Sequence, residues 1–232
     1  MSQPANLFSP RVILQMLIMI VLVPFLPLLI SGHWGWWQAW AYGLICVVGF
    51  TISRMLVSRR HPDLIAERAR FLQHEDAASW DKILAPLVGV GGDLILLVVG
   101  LDALYGWSPA FGLTVNLVAL VAILAGFVLA SYALIENRFF SGMVRIQTER
   151  GHQVISTGPY RWVRHPGYAG ALLTYLATPF FLDSRWALLA VLFFAVIIVI
   201  RTRLEDSTLQ ALLPGYREYA HRVRHRLLPG IW

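Results

Sequence analysis

Charged residues and cysteine are both scarce in this chain. Only 14% of its 232 residues are charged and 57% are hydrophobic, whereas a soluble domain carries about 25% charged residues. So little charge excludes an ordinary soluble surface, and lipid must therefore cover much of the protein. The one cysteine, Cys46, lies in an apolar segment, which excludes an intramolecular disulfide and a metal site built from several thiolates.

Long apolar runs take the place of charge. A helix that crosses a bilayer needs roughly 17–25 mostly apolar residues. The runs predict an all-α transmembrane bundle of about six spans, at 12–30, 36–57, 83–104, 110–135, 167–182 and 186–200. The last two are short, which suits a helical hairpin that crosses only in part as well as two ordinary spans.

Positive charge falls on one side of these spans. Of the 19 Lys and Arg, 18 lie in the N-terminus, at 54–82, at 138–164 or from 201 onward, and only Arg185 lies in the alternate loops. Because Lys and Arg gather on the cytoplasmic side, we expect both termini in the cytoplasm, and the compact chain suggests a bacterial inner membrane. The net charge of +6 fits a basic face beside anionic lipid, so we expect no nucleic-acid partner.

The polar residues divide the chain into two regions. Residues 1–135 form an N-terminal transmembrane region of four spans, and residues 136–232 carry most of the polar motifs. A polar loop at 58–82 predicts a helix at the membrane interface, either a solvated connection or a substrate gate, with apolar positions at Leu64, Ile65, Ala69, Phe71 and Leu72. The tail predicts another interfacial helix, because apolar residues recur at spacings of three and four, at Tyr216, Tyr219, Ala220, Val223 and Leu227.

Two polar clusters precede the fifth span. Residues 147–160 mix hydrogen-bonding side chains with Val154 and Ile155, a composition that suits a flat heterocycle and ribose or an ordinary interfacial loop. At 164–168, Pro166 is well placed to begin a helix. Its positive end would favour a carboxylate or phosphate near His165, although these residues also suit a simple boundary of the span.

A third cluster follows the sixth span. Arg201 and Glu205 are four residues apart and therefore share one face of a helix. They form either a surface salt bridge, worth about 0.3–0.5 kcal/mol, or a functional pair, since ionisable residues at the end of a membrane helix are functional candidates when they face the bundle.

In this order, the three clusters resemble the isoprenylcysteine carboxyl methyltransferase family, which includes related phospholipid methyltransferases. The resemblance covers about residues 136–232, and its most specific part is 158–168. It implies S-adenosylmethionine as methyl donor, held on the cytoplasmic side by Gln147, His152, Gln153, Val154, Ile155, Tyr160, His165, Pro166, Gly167, Tyr168 and Glu205. It places Arg201 beside the acceptor, so Arg201 and Glu205 are the catalytic candidates. The family often has paired glutamates where this chain has Glu205 and Asp206.

The resemblance thus implies a membrane methyltransferase whose lipid-like or prenylated acceptor arrives laterally from the bilayer, with no metal. The leading reaction is carboxyl O-methylation of an isoprenylcysteine-like acid. N-methylation of a phosphatidylethanolamine-type lipid and methylation of a small thiol are the enzymatic alternatives. A non-catalytic membrane scaffold or transporter is the alternative from another class, and it predicts no cofactor affinity.

Overall fold

The computed structural model describes residues 18–69 and 76–232, and within them it contains helices and no strand. The predicted all-α class is therefore confirmed. Two short helical turns, Ile18–Leu22 and Val23–Phe25, lead directly into α1, Leu26–Ser31. The described α-helices that follow are α2 Trp37–Arg60, α3 Pro62–Ala69, α4 Asp81–Tyr105, α5 Leu113–Glu136, α6 Pro166–Phe181, α7 Ala187–Leu212 and α8 Tyr216–Arg222.

Four of the described helices, α2, α4, α5 and α7, are long and apolar enough to cross a membrane. The protein is therefore an integral membrane protein. The helix α6 has 16 residues and α1 is shorter still, so the count of six spans stays a prediction. Residues 12–17 of the first predicted span lie outside the described residues.

The helix α7 runs well past the predicted end of its span at residue 200. It continues through the charged segment to Leu212, because no glycine or proline occurs between 187 and 212. Pro214 and Gly215 then end it, as the sequence indicates. Arg201 and Glu205 therefore lie on the same rigid helix as the apolar span.

The two predicted interfacial helices are each present in part. The helix α3 occupies the polar loop, and Leu64 packs against Val57 and Leu134; Phe71 and Leu72 lie outside the described residues. In the tail, α8 ends at Arg222, so the prediction that the helix reaches Leu227 was wrong. The residues after Arg222 form hydrogen bonds with another part of the chain.

The tail closes on the turn before α6. The backbone amides of Arg164 and His165 donate to the carbonyl oxygens of His225 and Arg226, at 3.0 and 2.9 Å. In a continuous helix these carbonyls would bond to the chain four residues on. An irregular backbone after Arg222 therefore serves the start of α6.

The helices α5 and α6 cross with their backbones in contact. A Cβ atom on Gly170 would lie 2.6 Å from the carbonyl oxygen of Gly126 and 2.7 Å from the amide nitrogen of Ala130. Small residues allow this kind of approach between membrane helices. The contact holds the end of α5 beside the start of α6, where the polar motifs meet.

A buried polar cluster fixes the opposite end of the bundle. Asp102, which is 2% exposed, accepts hydrogen bonds from Ser108 at 2.7 Å and Ser184 at 2.6 Å. Asp183, at a φ of 54°, accepts from the side chain of Asn116 at 3.0 Å. These bonds tie the turn between α6 and α7 to α4 and α5.

We expect Gly170→Ala to lower the free energy of unfolding by about 1–3 kcal/mol, because its methyl group would collide with the backbone of α5. Gly89→Ala is the matched control, since an added Cβ there meets no atom within 4 Å and alanine favours the helix. Unfolding in mixed micelles, followed by circular dichroism, measures both. Equal stability of the two variants would contradict the close crossing.

Candidate active site

A cleft lies where α5 ends, α6 begins and α7 leaves the apolar layer. It contains about 770 Å³ of empty space, including its open mouth. Its walls come from the loop at 137–165, the first turn of α6 and the charged part of α7. Most of the predicted site residues line it, namely His152, Gln153, Val154, Ile155, Tyr160, His165, Gly167, Tyr168, Arg201 and Glu205.

Gln147 takes a supporting position behind the wall. It is fully buried, its side-chain amide donates to the carbonyl oxygen of Phe139 at 2.8 Å, and its side-chain oxygen accepts from Arg150. Its backbone amide donates to Nδ1 of His152 at 3.3 Å. Gln147 therefore orients His152 instead of lining the cleft itself.

His152 presents a neutral imidazole to the cleft. Its ring stacks on Phe139 with 4.6 Å between centroids. Burial, together with the positive charges of Arg145 and Arg150, lowers the pKa of His152 to about 4. Because Nδ1 accepts from the backbone, the proton of the neutral ring belongs on Nε2, which can donate to a ligand.

The start of α6 forms the floor of the cleft. Pro166 occupies its first turn, as predicted, and His165 is the N-cap residue. Pro166 itself does not line the cleft. The next residue must be glycine, because a Cβ on Gly167 would lie 2.6 Å from the ring of Phe140. Sequence motif and close packing therefore agree at this turn.

Asp206, whose role the sequence left open, is fully buried beside the cleft and accepts hydrogen bonds from several side chains. It accepts two hydrogen bonds from Arg164, at 2.7 and 2.9 Å, and one from Arg226 at 2.9 Å. Tyr216 and Gln210 also donate to it, at 3.1 and 2.8 Å. Arg164, which sequence reasoning treated as a residue at the boundary of the span, thus holds Asp206.

Glu205 points the other way, into the cleft. It accepts a hydrogen bond of 2.6 Å from the hydroxyl of Tyr168, and its side chain is 22% exposed. Its other oxygen is 4.0 Å from Nδ1 of His165, which is too far for a hydrogen bond. That oxygen can accept from a hydroxyl or an ammonium group.

Arg201 is held by an acid that sequence reasoning missed. Its Nε and Nη2 donate to the two oxygens of Asp81, at 2.7 and 2.9 Å, and Nη2 also donates to the carbonyl oxygen of Gly142 at 2.9 Å. No ion pair joins Arg201 to Glu205 in the described residues, so the simple salt bridge does not form. Within the same residues Nη1 has no hydrogen bond, which leaves it for a ligand of the cleft.

Asp81 has no signal in the sequence beyond its place at the start of α4. It is fully buried and also accepts from the backbone amide of Val144 at 2.7 Å. It therefore fixes both Arg201 and the loop that covers the cleft. A pair separated by 120 residues leaves no local pattern to detect.

Residues 117–211 match the model of the isoprenylcysteine carboxyl methyltransferase family. The resemblance to this family is confirmed over that segment. The segment contains α6, the cleft-lining part of the loop before it, and nearly all of α7. The matched residues are thus those that form most of the cleft.

Three known proteins are each similar to a part of this chain. A probable protein-S-isoprenylcysteine O-methyltransferase from Oryza sativa subsp. indica is 38% identical over 65 residues, 28% of this chain and 34% of that protein. Protein-S-isoprenylcysteine O-methyltransferase B from Arabidopsis thaliana is 31% identical over 123 residues, 50% of this chain and 57% of that protein. A Delta(14)-sterol reductase from Mus musculus is 34% identical over 95 residues, 40% of this chain and 23% of that protein. The chain thus spans less than two thirds of each.

We expect the buried His152 to make stability depend on pH. Its unfolded pKa is about 6.5 and its folded pKa is about 4, so between these values the unfolded chain binds more protons and stability falls as pH decreases. His152→Gln should remove up to about 2 kcal/mol of the loss between pH 7 and pH 5. Chemical unfolding at both pH values measures it. His221 is exposed, so His221→Gln should lose as much stability between pH 7 and pH 5 as wild type does. The same loss in His152→Gln would contradict the lowered pKa of His152.

Proposed function

We propose that this protein is a membrane methyltransferase that uses S-adenosylmethionine to methylate the carboxylate of an isoprenylcysteine-like amphiphile. The observation that carries the proposal is that Arg201 and Glu205 line one cleft without bonding to each other. Arg201 has a free donor, Glu205 has a free acceptor, and both lie in the segment that matches the family. A carboxylate and a guanidinium group that do not bond to each other can each bind a different ligand.

The donor set of the cleft fits the proposed cofactor. The apolar side chains of Val154, Ile155 and Leu209 offer a surface for adenine, and Glu205 can accept from ribose or ammonium. His165 and the first turn of α6 suit the carboxylate of an amino acid. When bound, S-adenosylmethionine supplies a methyl group on a positively charged sulfur, which aromatic rings such as Tyr160 can stabilise.

The acceptor side of the cleft centres on Arg201. Its Nη1 can donate to a carboxylate, and the fork to Asp81 fixes the plane of the guanidinium. A carboxylate is already a nucleophile, so the residues need only align it and exclude water. Phe140 and Met143 line the cleft beside Arg201 and supply that apolar cover. An amine acceptor would in addition need a base.

The proposal places the cleft at the basic, cytoplasmic end of the bundle. Both termini would then lie in the cytoplasm, and the amphiphilic acceptor would reach Arg201 laterally from the bilayer. A bacterial inner membrane stays a prediction from the sequence. The orientation is supported by the same charge asymmetry that the positive-inside rule uses.

A second candidate is a reductase that acts on a membrane isoprenoid-like substrate. It is favoured by the 34% identity over 95 residues to the Delta(14)-sterol reductase. It requires the same cleft to bind a nicotinamide dinucleotide as hydride donor. The two candidates therefore differ in the cofactor that binds.

Calorimetric titration of the detergent-purified chain with S-adenosylmethionine, and separately with NADPH, tests both candidates. We expect the first to bind and Glu205→Gln to weaken it by about tenfold or more, because a charged acceptor is lost. Glu218→Gln, an exposed acid on α8, should bind as wild type. Binding of NADPH alone would favour the reductase, and binding of neither would bring the scaffold or transporter forward.

Asp81→Asn should impair methyl transfer without impairing cofactor binding. With a neutral partner Arg201 loses its fixed orientation, so we expect KM for N-acetyl-S-farnesylcysteine to rise by about tenfold or more. The affinity for S-adenosylmethionine should stay within about twofold of wild type, which also shows that the variant is folded. Equal losses of both would assign Asp81 a purely structural role.

A further inference from the structure

Two buried nitrogen atoms without a partner lie on one side of α2. Among the described residues, these are Nη1 of Arg54 and Nε2 of His61, the buried side-chain atoms that lack any hydrogen bond. Nearly all such atoms in proteins are paired, because an unpaired one costs about 1–3 kcal/mol. The two residues are seven apart, which brings them close to the same face of the helix and its end.

Arg68, on α3, adds a second guanidinium without an acid. It donates only to the carbonyl oxygens of Phe140 and Ser141, at 3.1 and 3.3 Å, within the described residues. Burial, together with the charges of Arg54 and Arg201, lowers the pKa of Arg68 to about 9. Arg68 is therefore near enough to Arg54 and to Arg201 to be repelled by both. Of the three arginines, Arg201 alone has an ion-pair partner among the described residues.

Other arginines in this region do form ion pairs with glutamates. Arg60 pairs with Glu136 at 3.3 Å, and the buried Arg145 pairs with Glu67 at 3.0 Å. Arg60 and Glu67 lie close to Arg54 and Arg68 along the chain, yet within the part of the chain that the structure describes neither Arg54 nor Arg68 pairs with a carboxylate. Two positive charges on half-buried side chains, with no acid beside them among the described residues, produce a positive potential, and an anionic ligand would relieve it.

We propose that Arg54 and Arg68 bind the anionic head group, a carboxylate or a phosphate, of a membrane amphiphile. Both oxyanions match the forked donors of guanidinium groups. Aromatic rings fix the two guanidinium groups, with Phe50 4.6 Å from that of Arg54 and Phe140 5.4 Å from that of Arg68. Arg54 lies near the end of a membrane-spanning helix, so the tail of the ligand would remain in the bilayer.

The site is distinct from the cofactor cleft but adjoins it. Arg68 bonds to Phe140 and Ser141, which also line the cleft. Arg54 and Arg68 precede the segment that matches the family, and the site stands whether or not methyl transfer occurs. In the proposed reaction it would hold the acid of the acceptor next to Arg201, and that role alone rests on the proposed function.

Native mass spectrometry of the full chain in detergent tests the site with two matched pairs of amphiphiles. Oleate is compared with oleyl alcohol, and dioleoylphosphatidylglycerol with dioleoylphosphatidylcholine. We expect the anionic member of at least one pair to bind about tenfold tighter or better, and Arg54→Gln to abolish that preference. Preference within the first pair identifies a carboxylate ligand, and preference within the second a phosphate.

The variant also separates binding from structure. Because Arg54→Gln removes an unpaired buried charge, its Tm without amphiphile should equal or exceed that of wild type. Arg59→Gln, exposed one turn further along α2, should keep both Tm and preference. Equal binding within both pairs, or an Arg54→Gln variant that keeps the preference or loses stability, would overturn the proposal. Titration with S-adenosylmethionine, done in parallel, tests the methyltransferase separately.

Discussion

One buried carboxylate at the membrane boundary, Asp206, ties the parts of the site together. It accepts hydrogen bonds from Arg164 before α6, from Arg226 in the tail and from Tyr216 at the start of α8. A charge removed from water is costly unless donors surround it, so these segments must assemble around Asp206 together. Apolar packing alone could not impose this geometry, because in lipid it provides little drive for helices to associate.

The sequence predicts the features that have a local cause. For most ends of the long helices, the apolar runs predict the position to within a few residues. Pro166 correctly predicts the start of α6. The sequence does not predict features that depend on hydrogen bonds between residues far apart in the chain. The helix of the tail ends at Arg222, and beyond it the carbonyl oxygens of His225 and Arg226 accept from the backbone amides of Arg164 and His165 instead of continuing the helix. The partner of Arg201 is Asp81, from another helix, and a pair so far apart in the chain has no characteristic spacing.

The cleft combines a segment that matches a known family with helices that do not. Residues 117–211 provide the motif-bearing turn of α6 and the polar face of α7. The earlier helices provide Asp81, which orients Arg201, and Arg68, which contacts the wall from outside. In the proposed function the matched segment therefore holds the methyl donor, whereas the first half of the chain shapes the approach of the acceptor.

The shortness of α6 has a consequence for depth. Its 16 residues extend about 24 Å at 1.5 Å per residue, whereas the hydrocarbon core of a bilayer is roughly 30 Å thick. Its far end meets the half-buried Asp183 and the buried Asn116, and its first turn is the floor of the cleft. In the proposed function, the first turn of α6 therefore lies about 6 Å deeper in the membrane than the end of a helix that spans the whole hydrocarbon core. In the proposed function, a polar methyl donor bound from the water and a lipid-like acceptor that stays in the bilayer meet at this turn.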